Sequence, residues 1–196
     1  MIWESHPWRE ELCRVAERLE AWRSRVDWED EYEAFQIERD VMSSAYAVRK
    51  LLEAHKLADS LARSTVRVEA YSLIGRVPEY MNWHRLDEFY DFSRSESRSL
   101  TVTQLCNQFI HSFIWMIEKE DTEAADDQVD AAGMAGCFVA SDRQRNSSIY
   151  RVSVDDLIDL FRSVGTEDVA STRMTRDAVG QWQISSYATD EDVDLG

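Results

Sequence analysis

The stretch LTVTQLCNQFIHSFIWMI, residues 100 to 117, is apolar enough for a core helix, yet it sets Gln104, Asn107, Gln108 and His111 in its middle. On an α-helix residues 107 and 111 stand one turn apart on the same side, with Gln104 one turn earlier. An amide and an imidazole so placed can converge on one small target. Imidazole titrates near neutrality and can carry a proton, while a carboxamide can hold a phosphoryl or carbonyl oxygen. The same residues can equally form a buried polar cluster that hydrogen-bonds a neighbouring helix.

Two further groups have the residue types for binding. In HRLDEFYD, His84, Asp87 and Asp91 would line one helical face and offer imidazole and carboxylate oxygen to a divalent ion, though without a fourth ligand. The alternative is a turn in which Trp83, Phe89, Tyr90 and Phe92 pack on the body and leave the charges in water. Arg143 and Arg145, with Arg151 nearby, form a compact basic group at the tip of an expected hairpin, suited to a nucleic-acid phosphate or to the chain's own acids. Cys13, Cys106 and Cys137 are an odd number with no CxxC pair, which suits small core residues in a reducing compartment and gives no zinc framework. No metal and no cofactor is expected.

The segment LCNQFIHS, residues 105 to 112, resembles the signature helix of HEPN domains, in which an arginine, a polar residue, three variable residues and a histidine precede a small polar residue. The resemblance implies an α-helical fold. It also implies a metal-independent ribonuclease site, usually formed by two copies of the motif across a homodimer, with RNA as partner. It gives His111 the proton-transfer role and Asn107 the role of orienting it. The family's arginine position is held by Cys106, a neutral group that cannot replace a bidentate cation at a phosphate. Arg49 is the arginine best able to take that part, if the second helix packs on the motif helix. Arg49 and His55 also share the motif's spacing, but six residues on a helix turn through about 600°, which leaves them roughly 120° apart; His55 reads instead as a continuation of the apolar stripe.

These side chains need elements to position them. Ser5, Pro7, Glu10 and Glu11 mark a helix start, and Trp8, Leu12, Val15, Leu19 and Trp22 form its apolar stripe. A second long helix is expected from about Asp27, with Phe35, Val41, Met42, Ala45, Val48, Leu52 and His55 near one face, the two packing as a helical hairpin. TVRVEAYSLIG alternates like a strand, SRSESRS reads as a polar loop, and Thr101 or Thr103 can cap the motif helix. GCFVASD and SIYRVSV read as a hairpin, SVDDLIDLFRSVG as a short helix capped by Ser153 and ended by Gly165, and residues 170 to 187 as a second small hairpin around Val179 and Gly180.

The expected fold class is therefore α+β with a mainly helical body: two long N-terminal helices and a buried motif helix, with small antiparallel β elements. The expected organisation is a helical HEPN-like body over 1–120 with one possible strand, an acidic linker over 121–132, a hairpin and helix extension packed on the body over 133–187, and a disordered acidic tail over 188–196.

Of the formal net charge of −16, the run from Glu118 to Asp130 carries −6 and the tail −4, leaving about −6 on the rest. A local phosphate site is compatible with that remainder. Strong non-specific duplex binding is not, since it needs many cationic contacts and the chain has three lysines against nineteen arginines. The first residues lack the pattern of a secretory signal and no apolar run suits a membrane span, so a cytoplasmic protein is expected. Two functions fit: an RNA-directed, HEPN-like ribonuclease-type domain with His111, Asn107 and Arg49 as its site and Gln104, His84, Arg143 and Arg145 as weaker binding residues; or a non-catalytic, acidic protein-interaction or immunity-type protein that engages a basic or aromatic-binding partner.

Overall fold

The computed structural model describes residues 3–25, 31–120 and 133–188. The first helix, α1 (His6–Ser24), has Pro7 in its opening turn, where a missing N–H costs nothing, and it buries Leu12, Val15, Ala16, Leu19 and Trp22. Each fully buried leucine of that stripe contributes about 2 kcal/mol of apolar burial. Helix α2 (Glu31–Glu53) buries Ile37, Val41, Ala45, Val48 and Leu51. It ends where His55 adopts φ 54°: His55 N–H donates to the Leu52 carbonyl (3.1 Å) and Lys56 N–H to that of Leu51 (2.9 Å). This is the left-handed helix stop usually given to glycine. His55 is thus an exposed terminator rather than a member of the apolar stripe.

After a short helix α3 (Asp59–Arg63) come β1 (Thr65–Leu73), a 3-10 turn at Leu86–Glu88, β2 (Tyr90–Thr101), α4 (Val102–Ile110), β3 (Ser112–Lys119), β4 (Met134–Ser141), β5 (Ser148–Ser153), α5 (Val154–Thr166), β6 (Val169–Arg176) and β7 (Trp182–Ala188). The first five strands form one antiparallel sheet in the order β2-β1-β5-β4-β3, and β6 and β7 pair as a separate hairpin.

This sheet corrects the expectation of a mainly helical body. The protein is α+β around a five-stranded antiparallel sheet, with strands drawn from both sides of the run 121–132. Two segments account for the difference. SRSESRS is the middle of β2, held by backbone pairing to β1 from Thr65↔Thr101 to Tyr71↔Ser95. Its side chains are exposed, so no apolar alternation announced it. The apolar stretch 100–117 is not one helix either: α4 stops at Ile110, and FIWMI continues as β3. The acidic residues 121–132 and the tail from 189 lie outside the described residues.

One face of the sheet is covered by helices. Val68, Ala70, Cys137, Val139, Tyr150 and Val152 pack against the buried stripes of α1, α2, α4 and α5 in the main core. α1 lies chiefly along α5 and α2 along α4 rather than as a closed α1–α2 hairpin. Gly165 lies in the last turn of α5, one residue before its end, and α1 approaches closely there: an added Cβ would come within 2.4 Å of Cys13 Sγ and 2.9 Å of the Arg9 carbonyl oxygen. On the opposite face Leu86, Phe89 and Tyr90 close over Ile114, Ala140 and Ile149 in a second, smaller core. Among the described residues no helix is long and apolar enough to cross a membrane.

Candidate functional site

Helix α4 begins at Thr101, whose hydroxyl accepts from Gln104 N–H (3.2 Å) while Gln104 Oε1 accepts from Thr101 N–H (2.9 Å). This reciprocal pair satisfies two backbone donors that a helix start leaves open. Gln104 is therefore a cap. One turn on, Gln108 Oε1 accepts from Ser141 N–H at 3.1 Å and ties α4 to the end of β4.

Asn107, half-buried, accepts at Oδ1 a 2.6 Å hydrogen bond from Arg49 Nη1 on α2, and Arg49 Nε donates to Glu53 at 2.8 Å. The structure thus brings Arg49 to Asn107. Lys50, the nearer influence, and Arg49 hold the Glu53 carboxyl below its ordinary range. His111 is the C-cap of α4, with φ −110° and ψ 25°, and is exposed. Its N–H donates to the Asn107 carbonyl (3.1 Å) and its own carbonyl accepts from Asp142 N–H (3.2 Å). Among the described residues no side chain hydrogen-bonds the imidazole.

Cys106 points into the core, 1% exposed, and burial pushes its thiol up to about 12, with the Arg49 charge drawing it partly back. The position of the family's arginine thus faces the core.

The other candidates disperse. His84 is exposed in the turn before Leu86, edge-on to Trp83 at 6.0 Å. Asp87 lies in the 3-10 turn, while Asp91 is the second residue of β2 and accepts from Ser93, so the three share no helical face. Among the described residues no cluster of three metal-ligating side chains occurs. Arg143 is exposed. Arg145 is only 19% exposed: it donates to the Pro78 carbonyl and to Asp142 (3.0 Å), and it stacks on Phe113 at 3.8 Å. It fastens the hairpin to the 74–89 segment. Arg151 lies in the sheet, bonded to Glu118 (2.7 and 2.8 Å) and 3.6 Å from Glu69, which accepts from Tyr71.

Two features stand apart from every motif legible in the sequence. Asp40 on α2 is buried, its oxygens held by Arg18 (2.6 Å) and Arg39 (2.9 Å) beneath a cleft between α1 and α2. The second is the edge of the sheet. Among the described residues nothing pairs with the outer side of β3, and a groove runs beside it, lined by the apolar Ala34, Phe35, Trp115, Met116 and Ile117 and by the charged Glu31, Glu38 and Lys119. Phe35 is 51% exposed there, and Tyr32 stands 6.1 Å from it. The signal that could have found this edge is the position of FIWMI directly after a capped helix, where aromatic and β-branched residues favour a strand.

No protein-family model, curated protein or solved structure matches the chain.

Proposed function

We propose that this chain is a non-catalytic protein-interaction module that takes an extended polypeptide segment as an added strand along β3. The observation that carries the reading is the contrast between the two edges of the sheet. At the β2 edge the exposed residues include Arg94, Glu96 and Arg98, charges of the kind that keep an edge from pairing. At the β3 edge the run from Phe113 to Ile117 has no charge and no proline, and an exposed aromatic residue of α2 flanks it. Strand addition supplies backbone hydrogen bonds, and the groove beside it selects alternate side chains. The polar residues of α4 also fit this reading, since Gln104, Gln108 and Asn107 have partners within the fold. In this role the protein works in the cytoplasm, where its three free cysteines stay reduced.

Selection from a random peptide library on immobilised protein tests it. Peptides with apolar residues two apart should be enriched on the wild type and lost on Trp115→Arg of unchanged circular dichroism. Absence of enrichment on the wild type would overturn the reading.

A second reading is favoured by one contact. The 2.6 Å bond between Arg49 and Asn107, with His111 exposed one turn away, is the grouping an RNA-directed, HEPN-like ribonuclease-type site would use. Against it stand the buried Cys106 and a sheet where the family has only helices. Purified protein with mixed RNA and chelator decides between the two. Cleavage present in the wild type and absent in folded His111→Ala would put the ribonuclease reading first, and intact RNA in both would remove it.

A further inference from the structure

We propose that the strand docked on β3 is the β3 of a second copy, the two pairing antiparallel about a twofold axis at Trp115; this rests on β3 being a docking edge.

Directly opposed residues of an antiparallel pair share a face, so only registers that match faces are allowed. Trp115 and Ile117 belong to the helix-covered face, opposite Val139 and Cys137 of β4, whereas Ile114 and Met116 belong to the other, opposite Ala140 and Phe138. Centred on Trp115, self-pairing sets Trp115 against its own copy and Ile114 against Met116 twice. The faces match over Ile114–Met116; the bulge between Ser112 and Ile114 carries Phe113 to the face of Ile114, away from that of Ile117, and the matched ladder ends there. Centring on Met116 instead drives Glu118 against Ile114, which is fully buried, and pulls it from Arg151. The strand is thus complementary to itself over Ile114–Met116 when centred on Trp115.

The surroundings of the strand fit a second copy. The groove beside the strand presents Phe35 and Ala34 to whatever occupies the helix side of the edge, and the second Trp115 is a large apolar group on that side. Pairing about a twofold is isologous and closes at two. The remaining edges of the joined sheet are then the two β2 strands, whose charges stop further growth. The formal net charge of −16 on each copy opposes association, so the dimer should tighten as salt rises, the reverse of an interface held by opposite charges.

Sedimentation of the full chain across micromolar concentrations tests this. The expected result is a reversible step from the 22.8 kDa monomer to twice that mass, stronger in added salt. Phe35→Ser changes an exposed residue and should keep its melting temperature while weakening the dimer at least tenfold. In a Cys13→Ser background, Trp115→Cys should form a disulfide-linked dimer on mild oxidation and Ile117→Cys should not. A wild type that stays monomeric at every concentration overturns the inference. So does a dimer unaffected by Phe35→Ser with no Trp115→Cys cross-link. Peptide enrichment by a monomeric protein would leave the docking edge standing with a different occupant, and a monomer without enrichment would remove both.

Discussion

Arg49 Nη1 on α2 lies 2.6 Å from Asn107 Oδ1 on α4, and the same guanidinium reaches Glu53 at 2.8 Å. The pair joins the two helices along which the main core closes. Its partial exposure limits its worth, because solvent screens the charge. Asn107→Ala should cost about 1 kcal/mol, and the double variant with Arg49→Ala should cost less than the sum of the singles. Urea unfolding of the four proteins reads this directly; strict additivity would show that the contact contributes nothing in solution.

Gln104 and Thr101 should behave as one unit of helix start. Thr101→Ala should lose about 1 kcal/mol, and adding Gln104→Ala should cost little more, since the reciprocal partner is already gone. A large additional loss would assign Gln104 a role other than capping.

Gly165→Ala tests the closeness of α1 and α5. The new methyl meets Cys13 Sγ, which can move, and the Arg9 carbonyl, which belongs to the backbone of α1. A loss of about 1 to 3 kcal/mol follows from such overpacking, with only partial recovery in Gly165→Ala/Cys13→Ala. Unchanged stability would mean that the helices separate freely.

Stability should fall in alkali. Burial raises the Cys106 thiol from 9.0 to about 12, and burial followed by the bond to Glu69 raises the Tyr71 hydroxyl from 10.0 to about 12; Cys137 moves the same way. Above pH 9 the unfolded chain therefore releases protons that the folded one keeps, and unfolding gains. Each thiol contributes a slope of about 1.4 kcal/mol per pH unit between its unfolded and folded values. Unfolding midpoints from neutral pH upward should decline from about pH 9 by this linkage, and less steeply in Cys106→Ala/Cys137→Ala. With a thiol reagent at neutral pH only Cys13 should react in the native protein.

What the sequence revealed depended on how a segment meets the core. α1 and α5 were legible because each pairs an apolar stripe with a start signal, Pro7 in one and Ser153 in the other, where Asp156 N–H donates to the serine hydroxyl at 3.0 Å. β1 was legible because Val66, Val68 and Ala70 alternate with polar residues. β2 was not, since an edge strand with polar side chains is held by its backbone, and serine and arginine say nothing of that. β3 was not, because both of its faces are apolar and it directly follows a helix, so periodicity does not separate strand from helix there. The Arg49–Asn107 contact could be named beforehand only on the condition that α2 and α4 pack together. The capping role of Gln104 was hidden by spacing, since the third residue after a cap lies on the same side as Asn107.

Hydrogen exchange measured residue by residue along β3 tests the docking edge most directly. The amides between Phe113 and Lys119 that face away from β4 should exchange almost freely in dilute protein, while those bonded to β4 are protected. Raising the protein concentration, or adding a selected peptide, should slow the outward set and leave the inward set as it was. Outward amides already protected in dilute protein, or indifferent to both additions, would contradict a docking edge at β3.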